Sequence, residues 1–165
     1  MPSTLPISLE AAKRHLRVGD LTSDDDLIQE DLSMAFSIAE TWTNRNIAPQ
    51  SFSDVSMPVI DGKVYLSDIA GVQAVTDSEG EPVAYDVTTD NLLTTIEVTG
   101  DYDSVKVTYT VGYTSETLPG TIRAAVLLIL GTLYDNEADT VVGRSVSQIP
   151  MNAKQLLMPW RLVNM

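Results

Sequence analysis

The sequence contains no cysteine. This excludes a disulfide framework, a Cys-ligated zinc site and a thiol nucleophile, and it suits a reducing compartment. Histidine is almost absent too, with His15 alone. Cations are scarce: ten Lys and Arg stand against 23 Asp and Glu, a formal net charge of −13. The deficit is uneven. Residues 49–118 hold only Lys63 and Lys106 against twelve acids, whereas residues 144–165 hold Arg144, Lys154 and Arg161 and no acid. An acidic surface repels phosphate, which argues against groove-type nucleic-acid binding, and a basic tail favours an acidic partner surface. Long apolar runs are also missing. The most apolar stretch, residues 124–130, falls short of the about 20 residues that span a bilayer, so no membrane partner is expected. The opening residues lack a basic segment followed by an apolar run, so no secretory signal is expected.

What is present is a chain of 165 residues, 44% hydrophobic, enough for a real core and far from a disordered composition. No internal repeat or low-complexity tract interrupts it. Ser8 is a candidate N-cap for a short helix to Leu16, with Leu9, Ala12 and Leu16 at helical spacing and Gly19-Asp20 as breaker. A second helix starts at Ser23 or Asp24. Asp24, Asp25 and Asp26 complement its dipole, and Ile28, Leu32, Ala35, Ala39 and Trp42 form one apolar stripe. Its end falls near residues 44–46, before Pro49. Residues 51–113 then change character. Short β-rich runs at 64–66, 72–75, 83–87, 92–98 and 105–111 alternate with turn signals at Asp61-Gly62, Glu79-Gly80 and Gly100-Asp101. The strict alternation of Val105, Val107, Tyr109 and Val111 with Lys106, Thr108 and Thr110 is the strongest strand signal.

A third helix begins near Pro119 and runs to about residue 136, apolar around most of its circumference. Such a helix is buried on more than one side, the second side covered by the sheet or by another subunit. Residues 135–149 lack a period and read as a long loop. A last helix spans 151–158, ended or kinked by Pro159. The expected fold is therefore α+β, a bundle of about four helices with a small antiparallel sheet inserted between helices 2 and 3. It forms one domain over residues 1–165, with helices in 8–46 and 119–160, the β insertion at 51–113 and a tail at 159–165.

No catalytic constellation emerges, and no cofactor or metal is expected. His15 has no identifiable orienting partner and reads as a surface residue. The Asp24–Asp26 triplet lacks the alternation and distal Glu of a calcium loop, and Asp101-Tyr102-Asp103-Ser104 reads as a hairpin turn. Ser145 and Ser147 sit outside any G-x-S-x-G. Gly112, Gly120 and Gly131 lack phosphate-loop spacing. Trp160 is different: a tryptophan in a terminal segment, beside an arginine, either packs on its own domain or anchors a partner.

Four stretches taken together resemble one family. They are Leu9-Glu10-Ala11-Ala12-Lys13-Arg14-His15-Leu16-Arg17-Val18; Asp25-Asp26-Leu27-Ile28 leading to Ala39-Glu40-Thr41-Trp42-Thr43-Asn44-Arg45; Val107-Thr108-Tyr109-Thr110-Val111-Gly112-Tyr113 followed by Leu118-Pro119 and an apolar helix from Ile122 to Leu133-Tyr134; and Leu156-Leu157-Met158-Pro159-Trp160-Arg161. In order and spacing they resemble the head–tail connector, or head-completion, proteins of long-tailed double-stranded-DNA bacteriophages. The likeness in residues 52–104 is only that of β-rich chain. The resemblance implies a non-enzymatic protein of the virion neck, made in the host bacterial cytoplasm. It implies a ring of roughly a dozen copies about a closed axis, seated on the portal protein and followed by a stopper or tail-completion protein, with double-stranded DNA passing through unbound. Arg144, Lys154, Leu156, Leu157, Trp160 and Arg161 are the expected portal-docking residues, and Leu127, Leu128 and Gly131 the expected subunit interface. The competing readings are an acidic binding module, such as a DNA-mimic inhibitor, and a different neck or stopper protein.

Overall fold

The computed structural model describes residues 5–19, 22–90, 92–135 and 149–162. The chain divides into two compact units: Ala48–Tyr113, all β, and a helical unit made of Thr4–Ile47 with Thr114–Met165.

In the helical unit, α1 (Leu9–Leu16) is capped as its sequence requires. The Ser8 hydroxyl accepts from the Ala11 N–H at 3.3 Å, and Arg17 closes the helix in the left-handed region. α2 (Asp25–Thr43) buries Ile28, Leu32, Ala35, Phe36 and Ala39. Its stripe ends in Thr43 rather than Trp42: Thr43 is fully buried because its hydroxyl donates to the Ala39 carbonyl at 2.7 Å, satisfying it within the helix. Asn44 takes the left-handed cap, and the Glu40 carboxylate accepts from the Ile47 N–H at 2.8 Å. α3 (Gly120–Asp135) starts one residue later than Pro119, whose carbonyl accepts the first helical bond from Arg123. α4 (Met151–Leu157) runs into a 3-10 turn, Met158–Trp160, so Pro159 tightens the chain without ending it abruptly.

The expected second cover for α3 was the sheet or another subunit. Within this unit α1, α2 and α4 all pack on α3, which is why Ile122, Ala125, Val126, Ile129 and Leu130 are buried together.

The β unit corrects the expectation of one small sheet. It has two three-stranded antiparallel sheets. The first is β1 (Gln50–Pro58), β6 (Ser104–Val111) and β3 (Ile69–Thr76), with β6 central; the second is β2 (Lys63–Ser67), β5 (Leu93–Val98) and β4 (Tyr85–Asp90), with β5 central. Both central strands alternate, burying Val105, Val107 and Val111 or Thr94, Ile96 and Val98. Residues from both sheets, with Val83, make one core: Val64, Leu66, Val75, Ile96, Val98, Val105 and Val107. Buried Thr94 is satisfied by the Thr89 hydroxyl at 3.1 Å.

Two local details explain the connections. Asp61 (φ 51°) and Gly62 (φ 74°) form the two-residue turn that Ile60 and Lys63 close with paired backbone bonds of 2.8 and 3.0 Å. The segment Asp101-Tyr102-Asp103-Ser104 is not a hairpin turn: β5 and β6 belong to different sheets, and this segment carries the chain between them. Gly100 makes that crossing at φ 130°, with the position a Cβ would take only 2.6 Å from Cε2 of Tyr102. Gly100→Ala is expected to cost about 1–3 kcal/mol, from strain at an essentially glycine-only φ and displacement of the Tyr102 ring, read as a lower Tm by circular dichroism.

Candidate interaction surfaces

The chemistry-bearing residues of the sequence fall into three places. The first is the start of α2. Lys13 Nζ pairs with Asp25 Oδ1 at 2.6 Å in a partly buried bridge, and the Tyr134 hydroxyl donates to Asp24 Oδ2 at 3.0 Å. Asp25 thus ties α1, and Asp24 ties α3, to the start of α2. Among the described residues no group of three His, Cys, Asp or Glu side chains is placed to hold a metal ion, and none of their buried side-chain polar atoms lacks a partner. His15 is exposed. Ser145, Ser147 and Arg144 lie outside the described residues.

The second place is the end of α2, where the C-terminal segment lies. Trp160 Nε1 donates to the Thr121 hydroxyl at 2.9 Å, and the Arg45 guanidinium sits 5.7 Å from the Trp160 ring centroid. Reciprocally, the Arg161 guanidinium lies 5.4 Å from the Trp42 ring centroid, and the Leu162 N–H donates to the Thr43 carbonyl at 2.8 Å. Each tryptophan is covered by an arginine from the other segment, a cation–π arrangement stabilising by about 0.5–1 kcal/mol where exposed. Of the two readings of Trp160, the structure has it half-buried on its own unit. Thr43 and Arg45, which help complete this clasp, lie in the second family-like stretch with Trp42, whereas Thr121 had no signal in the sequence.

The other expected docking residues diverge here. Leu157 is fully buried in the core. Lys154 and Leu156 are half-buried and Arg161 is exposed. Met151 and Met158, at 73% and 69% exposure, are the most exposed large apolar side chains among the described residues; they lie seven residues apart, at the first residue of α4 and the first of the 3-10 turn that follows it. They were missed because their helical spacing is the same as that of core residues.

The third place is the open side of α3. Ala124 is exposed, and Leu127, Leu128 and Gly131 are half-buried. Spacings of three and four put these on one face, opposite the buried Ile122–Val126–Ile129 side. In the β unit, Asp68 and Asp77 are half-buried and the other described acids are exposed. Asp77 has a structural task, accepting from the N–H groups of Glu79 and Glu81 at 2.9 Å each. No helix among the described residues is long and apolar enough to cross a membrane.

No family model and no curated protein matches the sequence. Solved structures do match in fold. A chain in the neck of an empty gene transfer agent (GTA) particle, computed with C6 symmetry, aligns with TM-score 0.73 at 21% identity, covering 99% of this chain and 94% of that one. A chain in the virion of a native GTA particle aligns with TM-score 0.70 at 21% identity, with the same coverage. A chain in the neck of a native GTA particle, computed with C12 symmetry, aligns with TM-score 0.65 at 18% identity, over 100% of this chain and 96% of that one. The fold is thus one found in the necks of phage-like particles.

Proposed function

We propose that this chain is a structural protein of the neck of a phage-like particle, a head–tail connector without enzymatic activity. Copies form a ring that joins the portal to the stopper or tail-completion machinery and extends the DNA channel. The observation that carries this reading is the fold likeness to neck chains over nearly the whole of both chains. C6 and C12 symmetry in those necks supports a ring of roughly a dozen copies about a cyclic axis. The order of the four family-like sequence stretches supports the same assignment.

Two surfaces of the helical unit serve this role. The half-open face of α3, with Leu127, Leu128 and Gly131, suits a neighbouring copy: small and apolar side chains allow close packing. The outer side of α4 with the clasp suits the portal. Arg144, Lys154, Leu156, Trp160 and Arg161 are the docking candidates, joined by Met151 and Met158; Leu157 is already buried in the core and offers no side chain to a partner. Exposed methionines adapt to an irregular partner surface, and Trp and Arg are frequent hot spots. The exposed acids of the β unit limit phosphate contacts, which suits passage of DNA without binding.

The test is electron microscopy of the purified chain, alone and mixed with the portal ring of the same particle. The expected result is an added ring on the portal. Leu127→Glu should abolish that ring while leaving Tm within a few degrees, because Leu127 is only half-buried. A chain that stays monomeric under both conditions and binds a nucleic-acid enzyme tightly instead would replace this reading with that of an acidic DNA mimic.

A further inference from the structure

The outer strands of the two sheets end those sheets in different ways. β1 carries Pro58 and a bulge at Asp54 (φ 53°), and β3 has register irregularities between Ile69 and Gly71 and between Val72 and Ala74. Such devices keep a sheet edge from pairing with another chain. The second sheet is built otherwise. β2 and β4 both hold an uninterrupted register against β5. β4 contains no proline, no lysine and no bulge, and all of Asp86 to Asp90 is exposed. Val87 stands opposite the fully buried Ile96 and is still 45% exposed. Tyr65, Leu92 and Leu93 are exposed on the same sheet or at its hairpin tip. A regular, partly apolar edge with no proline, lysine or bulge is a template for strand pairing.

Charge selects the occupant. β4 carries Asp86 and Asp90 and no cation; β2 carries Lys63 and no acid. Two β4 strands paired about a twofold axis would set their carboxylates against one another, and like charges on adjacent strands repel. A β2 edge offers Lys63 instead, with a run of five residues against the six of β4. Both strands run antiparallel to β5, so they are parallel to each other. A copy displaced sideways and rotated slightly therefore brings its β2 alongside β4. That contact uses two different surfaces, and repeating such a contact closes a ring.

We propose that β4 of one copy pairs edge to edge with β2 of the next, so that the sheet β2–β5–β4 continues from subunit to subunit. This rests on the ring reading above and adds to it the identity of a contact. Three strands occupy about 14 Å of arc, so a closed wall of roughly twelve copies has a radius of about 28 Å at the strands.

The experiment compares ring formation by the full chain with portal, by mass photometry and electron microscopy, for Thr88→Pro, Thr89→Pro, Asp86→Lys, Lys63→Asp and the double charge reversal. Neighbouring residues of an edge strand turn their N–H groups to opposite sides, so one of the two proline variants spares the β4–β5 ladder and blocks only the outer edge. That variant should keep the wild-type Tm and lose ring formation by about tenfold or more. Asp86→Lys places a cation opposite Glu97 and so leaves the sheet intact. It should impair assembly, as should Lys63→Asp; because Lys63 also faces Glu97 in its own sheet, assembly is compared at temperatures well below the Tm measured for each variant, and the double reversal should restore it. If both proline variants fail to fold, the charge pair decides. Wild-type rings entered equally by a folded proline variant, or a double reversal no better than its parents, overturn the edge pairing and leave the ring reading standing. A wild-type chain that forms no ring, alone or with portal, overturns both.

Discussion

Replacing Leu157 with alanine is expected to destabilise the helical unit by about 2–5 kcal/mol, the range for truncating a fully buried leucine. Leu157 has 0% exposure and ends α4 where that helix packs on α3. Removing its isopropyl group loses the apolar burial and leaves a cavity between the two helices. The loss also reaches the clasp, since the 3-10 turn carrying Trp160 begins at the next residue. Met158→Ala should behave in the opposite way. At 69% exposure its truncation should stay within about 0.5 kcal/mol and instead weaken portal docking. Thermal melts give Tm changes of about 2–4 °C for each kcal/mol in a chain of this size. Equal melting of the two variants would show that α4 is not seated as described.

Ile96→Ala should have an effect of the same size, about 2–5 kcal/mol, with a larger consequence. Ile96 is the fully buried centre of β5, paired with Val64 on one side and Val87 on the other. The unit it supports has a core of eight buried residues, and a small core of this kind supplies about 3–5 kcal/mol. The truncation removes a large part of that. Hydrogen exchange should then find the amides of β5 and β6 exposed, whereas Val87→Ala on the open edge should leave them protected. Unchanged protection in Ile96→Ala would mean that the two sheets do not depend on a shared core.

Most elements were readable because each has a local cause. α1 follows from Ser8 and α2 from a stripe bounded by three aspartates and Asn44. β6 follows from its alternating valines, and the β2 hairpin from Asp61-Gly62. β1 was missed as a strand because its parity changes. Phe52, Val55 and Met57 lie opposite Tyr109, Val107 and Val105 on one face, yet the inserted residue at Asp54 shifts them from even to odd positions and erases the period of two. The expected strand at 83–87 begins instead at Tyr85 and runs to Asp90, because Val83 bonds back to Val75 and Pro82 bridges Thr76. The split into two sheets was invisible because pairing is non-local: nothing in residues 99–104 distinguishes a hairpin from a crossing.

The candidate surfaces were legible by composition and not by contact. Trp160 and Arg161 stood out as residues that need partners, but their partners Trp42, Arg45 and Thr121 lie more than a hundred residues earlier or on another helix, beyond the reach of spacing arguments. Leu156 and Leu157 are adjacent and alike in sequence. Only the rotation of α4 separates the one the core buries from the one left half-open.

The clasp also gives the protein a built-in optical probe. Its only two tryptophans, Trp42 and Trp160, both belong to that one arrangement, each with a guanidinium against its ring. Intrinsic tryptophan fluorescence therefore reports on a single location, the meeting of the α2 end with the C-terminal segment. The β unit contributes tyrosines and Phe52 but no tryptophan, and is silent under selective indole excitation. A change in emission on adding a binding partner, or during denaturation, describes the clasp rather than the molecule as a whole, with no label attached.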